Sequence, residues 1–230
     1  MAKPRTKGSI LPESILDAAT RLFIERGLDG TSMYDIATEL GVTRTAVYYY
    51  FKNKEAMLAA LTDNVTRVAG KMAAELTQYQ DLGPVEALRN LVMQHARLIL
   101  THALQFRVVE RNEHNLSPKR RDNARASRRA VLTSFAEIIQ RGVDSGDFRV
   151  VDPKVAAFAI IGMCNWTAWW YDPSGARSQD EIIAMLADLA VSSVRQDGAK
   201  RPRDTGVSES LRLLRKELAY LERRIEDEPT

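Results

Sequence analysis

Residues 31–51 read TSMYDIATELGVTRTAVYYYF, and the side chains able to do chemistry there are hydrogen-bond donors rather than nucleophiles or metal ligands. Arg44 carries a planar fork of N–H groups that matches a guanine edge or a phosphate, and Thr45 offers a hydroxyl and a methyl group to a base. The hydroxyls of Tyr48, Tyr49 and Tyr50 and the ammonium of Lys54 suit phosphate oxygens, which fix register rather than sequence. Three adjacent tyrosines cannot all face inward on one helix, so at least one meets water. The chemistry implied is recognition of double-stranded DNA.

Such a surface needs two helices joined by a tight turn, and the same residues supply them. Ser32 and Asp35 form an S-x-x-D capping pair at the start of the first helix, with Asp in place of the longer Glu. Ala37 is small where the helices must approach, and Gly41 can take the left-handed backbone of the turn. Ile36, Leu40, Val42 and Val47 form the apolar wedge between them. Thr43 then caps the second helix and leaves Arg44, Thr45, Tyr48 and Tyr49 outward, the face that enters a major groove. The backbone N–H groups of Thr31, Ser32 and Met33, at the N-terminus of the first helix of the pair, add an expected phosphate site.

Around this unit the chain is read as all-α, because apolar repeats of three and four recur between glycine, proline and capping signals and no alternating stretch is long enough for a sheet. A basic arm with Lys3, Arg5 and Lys7 occupies 1–11, either a mobile tail or a minor-groove element. The DNA-binding domain follows at 12–53, with helices near 12–26, 32–40 and 43–51. An effector-binding and dimerisation domain spans 54–196, with helices expected over 54–80, 85–104, 106–113, 117–142, 153–171 and 178–194. A polar linker at 197–206 precedes an amphipathic helix at 207–226, where Val207, Leu211, Leu214, Leu218, Leu221 and Ile225 are spaced as heptads. Arg215 and Glu222 at one flank, and Glu217 and Arg224 at the other, favour antiparallel pairing of that helix or its docking on the main domain.

In the larger domain, Trp166, Trp169 and Trp170 share one side of a helix beside Asn165. They read either as a packing or dimer stripe or as a ligand wall. Leu91, His95 and Leu98 lie on one wide apolar face and Phe135 on another. Arg121, Arg125, Arg128 and Arg129 are spaced along one helix, as a solvated face or as a hold for phosphates. The spacing of His95, His102 and His114 gives no metal site, and Cys164, the single cysteine, lies in an apolar run that reads as buried.

The segment ILDAATRLFIERGLDGTSMYDIATELGVTRTAVYYYFKNKEAML, residues 15–58, closely resembles the DNA-binding domain of the TetR family of bacterial repressors. That resemblance implies a homodimer on a palindromic operator, released when a small-molecule effector enters the C-terminal domain. GMCNWTAWWYDPSGARSQDEI looks like the corresponding helix of TetR regulators that sense acyl-coenzyme A thioesters of fatty-acid or steroid-ring breakdown. Leu91, His95, Leu98, Phe135, Asn165 and the three tryptophans would then face the acyl or ring part, with Arg121, Arg125 and Arg128 at the phosphates. A relative responding to a lipophilic drug or signal molecule is the alternative. Thr45 and Tyr50 stand where the family often has glycine and histidine, which leaves the operator sequence open.

Composition excludes several other classes. A net charge of +3 over 230 residues does not by itself mark a nucleic-acid binder, and 27% charged with 45% hydrophobic residues is that of a globular chain. The longest apolar run, residues 155–164, is about half of what a membrane span needs, and the N-terminus lacks an apolar signal core, so a cytoplasmic location is expected. No nucleophile–base pair, paired carboxylates or Gly-rich phosphate loop points to an enzyme, and no cofactor is expected.

Overall fold

The computed structural model describes residues 12–74, 79, 81–196 and 214, in a chain that divides into two units, 1–194 and 195–230. The arm at 1–11, the linker at 197–206 and, apart from Leu214, the heptad segment at 207–226 lie outside the described residues.

The first unit is helical, as the spacing of its apolar residues requires. Helix α1 (Pro12–Arg26) buries Ile15, Ala19, Leu22 and Phe23 and stops at Gly27, whose φ of +78° no other residue adopts readily. Helix α2 (Met33–Glu39) starts in a complete capping box: the Asp35 N–H donates to Ser32 Oγ at 3.1 Å, and the Ser32 N–H donates to Asp35 Oδ2 at 2.8 Å. The shorter acid therefore closes the box. The Ser32 hydroxyl, donating to Asp35 Oδ2 at 2.6 Å, and then the Ser32 amide hold the Asp35 carboxyl below its ordinary pKa. Gly41, at φ +65°, turns the chain into α3 (Arg44–Tyr50), capped by Thr43 through the Ala46 N–H at 3.3 Å. Helix α4 (Lys54–Ala74) begins at Asn53, whose Oδ1 accepts from the Ala56 N–H at 2.8 Å.

Prolines at the first helical position start α5 (Pro84–Thr101), α7 (Pro118–Asp144) and α8 (Pro153–Trp170), where the missing N–H costs nothing. Asp152 also caps α8 by accepting from the Lys154 and Val155 amides at 2.8 and 3.0 Å. A second capping box, Ser178 with Glu181, opens α9 (Gln179–Val194); the sequence reading placed the start correctly without identifying the box. The fifth helix was expected to run to residue 104. It ends at Thr101, because His102 leaves helical geometry (φ −114°, ψ 27°) and α6 (Ala103–Arg111) starts at once. No glycine or proline marks that break.

Two cores result. Helix α5 lies inside the larger one against α7, α8 and α9, burying Leu88, Leu91 and Val92 with Phe135, Ile139 and Ile183. The smaller joins Ile15, Phe23, Ile36, Val47, Leu58 and Leu61 of the first four helices to Val108 and Val109 of α6. Helix α6 thus belongs mechanically to the DNA-binding end as well as to the domain that follows.

Near the end of α7, the Phe148 ring packs directly on the α-carbon of Gly142, and the Phe148 N–H donates to the Gly142 carbonyl at 2.9 Å. A β-carbon at Gly142 would fall inside that ring. Gly142→Ala is expected to destabilise the fold by ~1–3 kcal/mol, as overpacking does, and to lower Tm by several degrees in thermal denaturation followed by circular dichroism.

Candidate functional site

The helix-turn-helix presents the expected residues outward. Arg44 and Thr45 are exposed, Tyr49 is 82% exposed, and Tyr48 and Tyr50 are about half as open, while Val47 between them is fully buried in the wedge. The Arg44 guanidinium carbon lies 5.7 Å from the centre of the Tyr48 ring, close enough for a cation–π contact that orients the fork. Tyr49 and Tyr50 meet edge to face at 4.9 Å. Arginine and tyrosines therefore form one donor-rich ridge on α3.

Other residues proposed for DNA are placed differently. Of the backbone amides expected at a phosphate, that of Thr31 reaches the Leu28 carbonyl at 3.5 Å and that of Ser32 serves the capping box. The buried Thr31 hydroxyl lies 2.8 Å from the Gly27 carbonyl and 3.2 Å from that of Leu22, and so ties the end of α1 to the start of α2. Thr43 is exposed but occupied as the α3 cap. Lys54 donates to the Leu28 carbonyl, pinning the start of α4 to the α1–α2 turn. A shallow depression joins Thr31, Ser32, Met33, Tyr48 and Lys54 beside the N-termini of α2 and α4, so these residues are neighbours even where their donors are spent.

The larger domain holds a partly open cavity of about 460 Å³ between α4, α5, α6, α7 and α8. That volume lies in the range of small-molecule pockets. Its walls are mainly apolar: Val65 and Ala69 from α4, Leu98 from α5, Phe106 and Val109 from α6, Leu132 from α7 and Ile161 from α8. Of the residues expected to bind a ligand, His95, Leu98, Arg128 and Asn165 line it. Leu91 and Phe135 do not; both are fully buried in the core, Phe135 with its ring edge to face against His95 at 5.7 Å. The tryptophans do not line it either. Trp166 is 62% exposed, Trp170 is also exposed, and Trp169 stacks on Trp166 and meets Phe106 edge to face.

The arginine row divides as well. Arg128 reaches Glu113 at 2.8 Å and Glu110 at 3.4 Å, and Arg125 lies near Asp122 and Glu113, at 3.8 and 4.0 Å. Neither Arg121 nor Arg125 lines the cavity. Arg129 does, and among the described residues it has no ion-pair partner. Burial holds the Glu110 carboxyl above its ordinary pKa, with Arg128 opposing that shift. Sequence spacing also missed the α6 wall and the α8 positions 158, 161 and 162. Those three share a helical stripe with Asn165, but a stripe does not say whether it meets solvent, core or cavity.

His95 is buried, and burial depresses its pKa from 6.5 to about 4 against the opposing hydrogen bond to Asn165. An unfolded chain takes up that proton near 6.5 and the folded chain only near 4, so between these values the unfolded state binds more protons. Stability is expected to fall as pH drops through that window, at up to ~1.4 kcal/mol per pH unit, and to be independent of this group above it. The raised Glu110 acts in the opposite direction just above its own ordinary value. Comparing Tm of the native chain with His95→Gln removes the Glu110 contribution, common to both; parallel profiles would contradict the assignment to His95.

Among the described residues no cluster of His, Cys, Asp or Glu could hold a metal ion, and no helix is long and apolar enough to cross a membrane. Burial drives the Cys164 thiol up to about 12, which leaves it unreactive as a thiolate.

Comparison with known proteins matches both ends of this architecture. A family model described as "Bacterial regulatory proteins, tetR family" covers residues 15–61, and one described as "Tetracyclin repressor-like, C-terminal domain" covers residues 81–194. The TetR family regulator PfmR from Thermus thermophilus is 30% identical in a structural match with TM-score 0.68, covering 77% of this chain and 97% of that one. AibR in complex with isovaleryl coenzyme A and operator DNA is 27% identical, TM-score 0.63, covering 80% and 97%. The transcriptional repressor KstR2 of Mycolicibacterium smegmatis is 25% identical over 190 residues, 80% of this chain and 90% of the relative.

Proposed function

The chain belongs to the TetR family of bacterial regulatory proteins, and from that premise we propose that it works as a homodimer on a palindromic operator and is released by a coenzyme A thioester. It is a transcriptional regulator and not an enzyme. The observation that carries the effector reading is the cavity itself: apolar, large enough for an acyl or ring body, and walled partly by arginine. AibR, a structural relative, is described with both isovaleryl coenzyme A and operator DNA, which supports a thioester as the ligand class.

Of the four arginines expected either as a solvated face or as a hold for phosphates, Arg128 and Arg129 line the cavity. Arg128 is already balanced by Glu110 and Glu113, so Arg129 is the better hold for a phosphate or thioester oxygen at the cavity wall. Coupling to DNA runs through α6. Val109 lines the cavity and also packs in the core of the DNA-binding end, so a ligand that displaces α6 also moves the seat of α1 and α4. Release requires the ligand to bind the displaced arrangement more tightly than the operator-bound one. Two recognition helices must match a fixed half-site spacing, so a small displacement of α4 is enough.

Dimerisation fits the outer faces of α8 and α9, where Phe158, Trp166 and Leu189 are each about 60% exposed and Val155, Trp170 and Met185 continue the apolar surface. A second copy of the chain covers such a patch. Titrating acyl-CoA esters against a labelled operator complex tests the whole reading. Release by a thioester, weakened in Arg129→Ala, is the expected result. Release only by uncharged lipophiles would overturn it in favour of a drug- or signal-responsive regulator, the alternative that the paired state of Arg125 and Arg128 favours.

A further inference from the structure

Arg128 stands on the cavity wall in α7 and reaches across to α6 and to the short turn after it, Glu113–Asn115. Its guanidinium lies 2.8 Å from Glu113 and 3.4 Å from Glu110, and Glu110 lines the same cavity. None of the three is sealed in the core: the side chains of Arg128, Glu110 and Glu113 are 46%, 37% and 28% exposed, so a ligand at the cavity rim can reach them. Helix α6 packs chiefly on α1, α4 and α8, and the arginine adds a tie from its end to α7. Val108, Val109 and Leu116 flank the two carboxylates along the chain, and all three are buried in the core of the DNA-binding end. A movement of Glu110 and Glu113 is therefore passed to that core from both sides. Arg129, next in the chain to Arg128, lines the cavity with no ion-pair partner among the described residues.

We infer that Arg128, Glu110 and Glu113 form a latch opened by an anionic group of the effector: the anion takes Arg128 together with Arg129, and the two carboxylates, left beside a negative charge, move off with α6. This rests on the reading of the cavity as the site of an anionic effector that releases DNA. A ligand competing for Arg128 favours the arrangement in which the pairs are broken, so the paired arrangement is the one that holds the operator. Burial holds the Glu110 carboxyl above its ordinary pKa and Arg128 opposes that shift, so loss of the guanidinium leaves a partly shielded carboxylate without its counter-charge. Moving α6 toward water relieves it. An uncharged molecule with the same apolar body fills the cavity but leaves the pairs in place. Occupancy and release are thus separate events, and the trigger is negative charge carried close to the apolar body.

The test measures operator binding and release for the full native chain, Glu113→Gln, Arg128→Gln and the two substitutions combined. Removing a carboxylate makes the chain more positive, which through the overall field alone tightens DNA binding. The latch requires the opposite. Without effector, Glu113→Gln is expected to weaken operator affinity about two- to five-fold, the range of a partly exposed ion pair, and to lower the effector concentration for release by a similar factor. In the Arg128→Gln background the same change causes no further loss, as the double-mutant cycle of a direct pair demands. The ligands are acyl-CoA esters from butanoyl to dodecanoyl, each matched with its N-acetylcysteamine thioester, which keeps the acyl group and lacks the phosphates. At equal occupancy, fixed by calorimetry, the CoA ester releases the operator and its uncharged match leaves it bound. Unchanged or tighter operator binding in Glu113→Gln, an additive cycle, or equal release by both members of a pair overturns the latch, while release by a CoA ester leaves the thioester effector standing. If no CoA ester releases the native chain but the Glu113→Gln loss and its cycle hold, the thioester falls and the tie from Arg128 to α6 remains. Neither release nor loss removes both.

Discussion

Replacing Arg44 by alanine is expected to weaken operator binding by roughly 10- to 100-fold, the ~1–3 kcal/mol that one good bidentate contact to a base supplies. The fold should scarcely notice, because the side chain is exposed and its contact with the Tyr48 ring is worth at most ~0.5–1 kcal/mol at such a site. Arg44 starts α3, its helix is fixed by the Thr43 cap and the buried Val47, and its guanidinium is oriented over Tyr48. The group is therefore presented on a rigid support, which makes its loss expensive. Fluorescence anisotropy with labelled operator at several salt concentrations separates two roles. A base contact loses affinity for the operator while the salt slope holds; a phosphate contact weakens all sequences alike and lowers the slope by about one. Native affinity in Arg44→Ala would remove α3 from the interface.

Leu98→Trp is expected to uncouple release from DNA binding. Leu98 lines the cavity from α5, a helix that packs against α7, α8 and α9 rather than in the DNA-binding core. An indole there takes up space that an acyl chain would fill. Excluding about four methylenes at ~0.8 kcal/mol each costs about 3 kcal/mol, so the effector concentration for release should rise on the order of 100-fold. Operator affinity without effector should stay within about two-fold, since no contact to α1, α2 or α3 changes. The result is a chain that holds its operator in the presence of ligand. Release at unchanged effector concentration would place the effector outside this cavity.

The recognition unit was legible because its requirements are local. A capping pair three residues apart, a glycine at the turn, a small residue at the crossing and apolar positions at helical spacing all act within one stretch of chain, and each took the expected place. Helix starts were legible for the same reason: Pro118, Pro153 and the caps at Ser32, Thr43 and Asp152 act within the first turn, whereas Pro84, expected just before its helix, is itself the first residue of α5. The break at His102 was not, since it breaks the helix without a glycine or proline to announce it.

The cavity proposed for the effector is the converse case. Types and spacing put His95, Leu98, Arg128 and Asn165 on the right helices, and the cavity uses them. Spacing also nominated Leu91, Phe135 and the tryptophans, because a residue's helical face follows from its number, whereas what that face meets depends on how the helices cross. Likewise, arginines at intervals of three and four look alike in sequence. Only the approach of α6 and the short turn after it to α7 brings Glu110 and Glu113 onto Arg128 and leaves Arg129 at the wall. By itself, then, the sequence determined the helices, their caps and the outward ridge of α3, all set by interactions within about a turn of chain. The tertiary structure alone decided which side chains share the cavity, which charges are already paired, and that α6 joins that cavity to the DNA-binding core, because those facts arise from contacts between segments far apart in sequence.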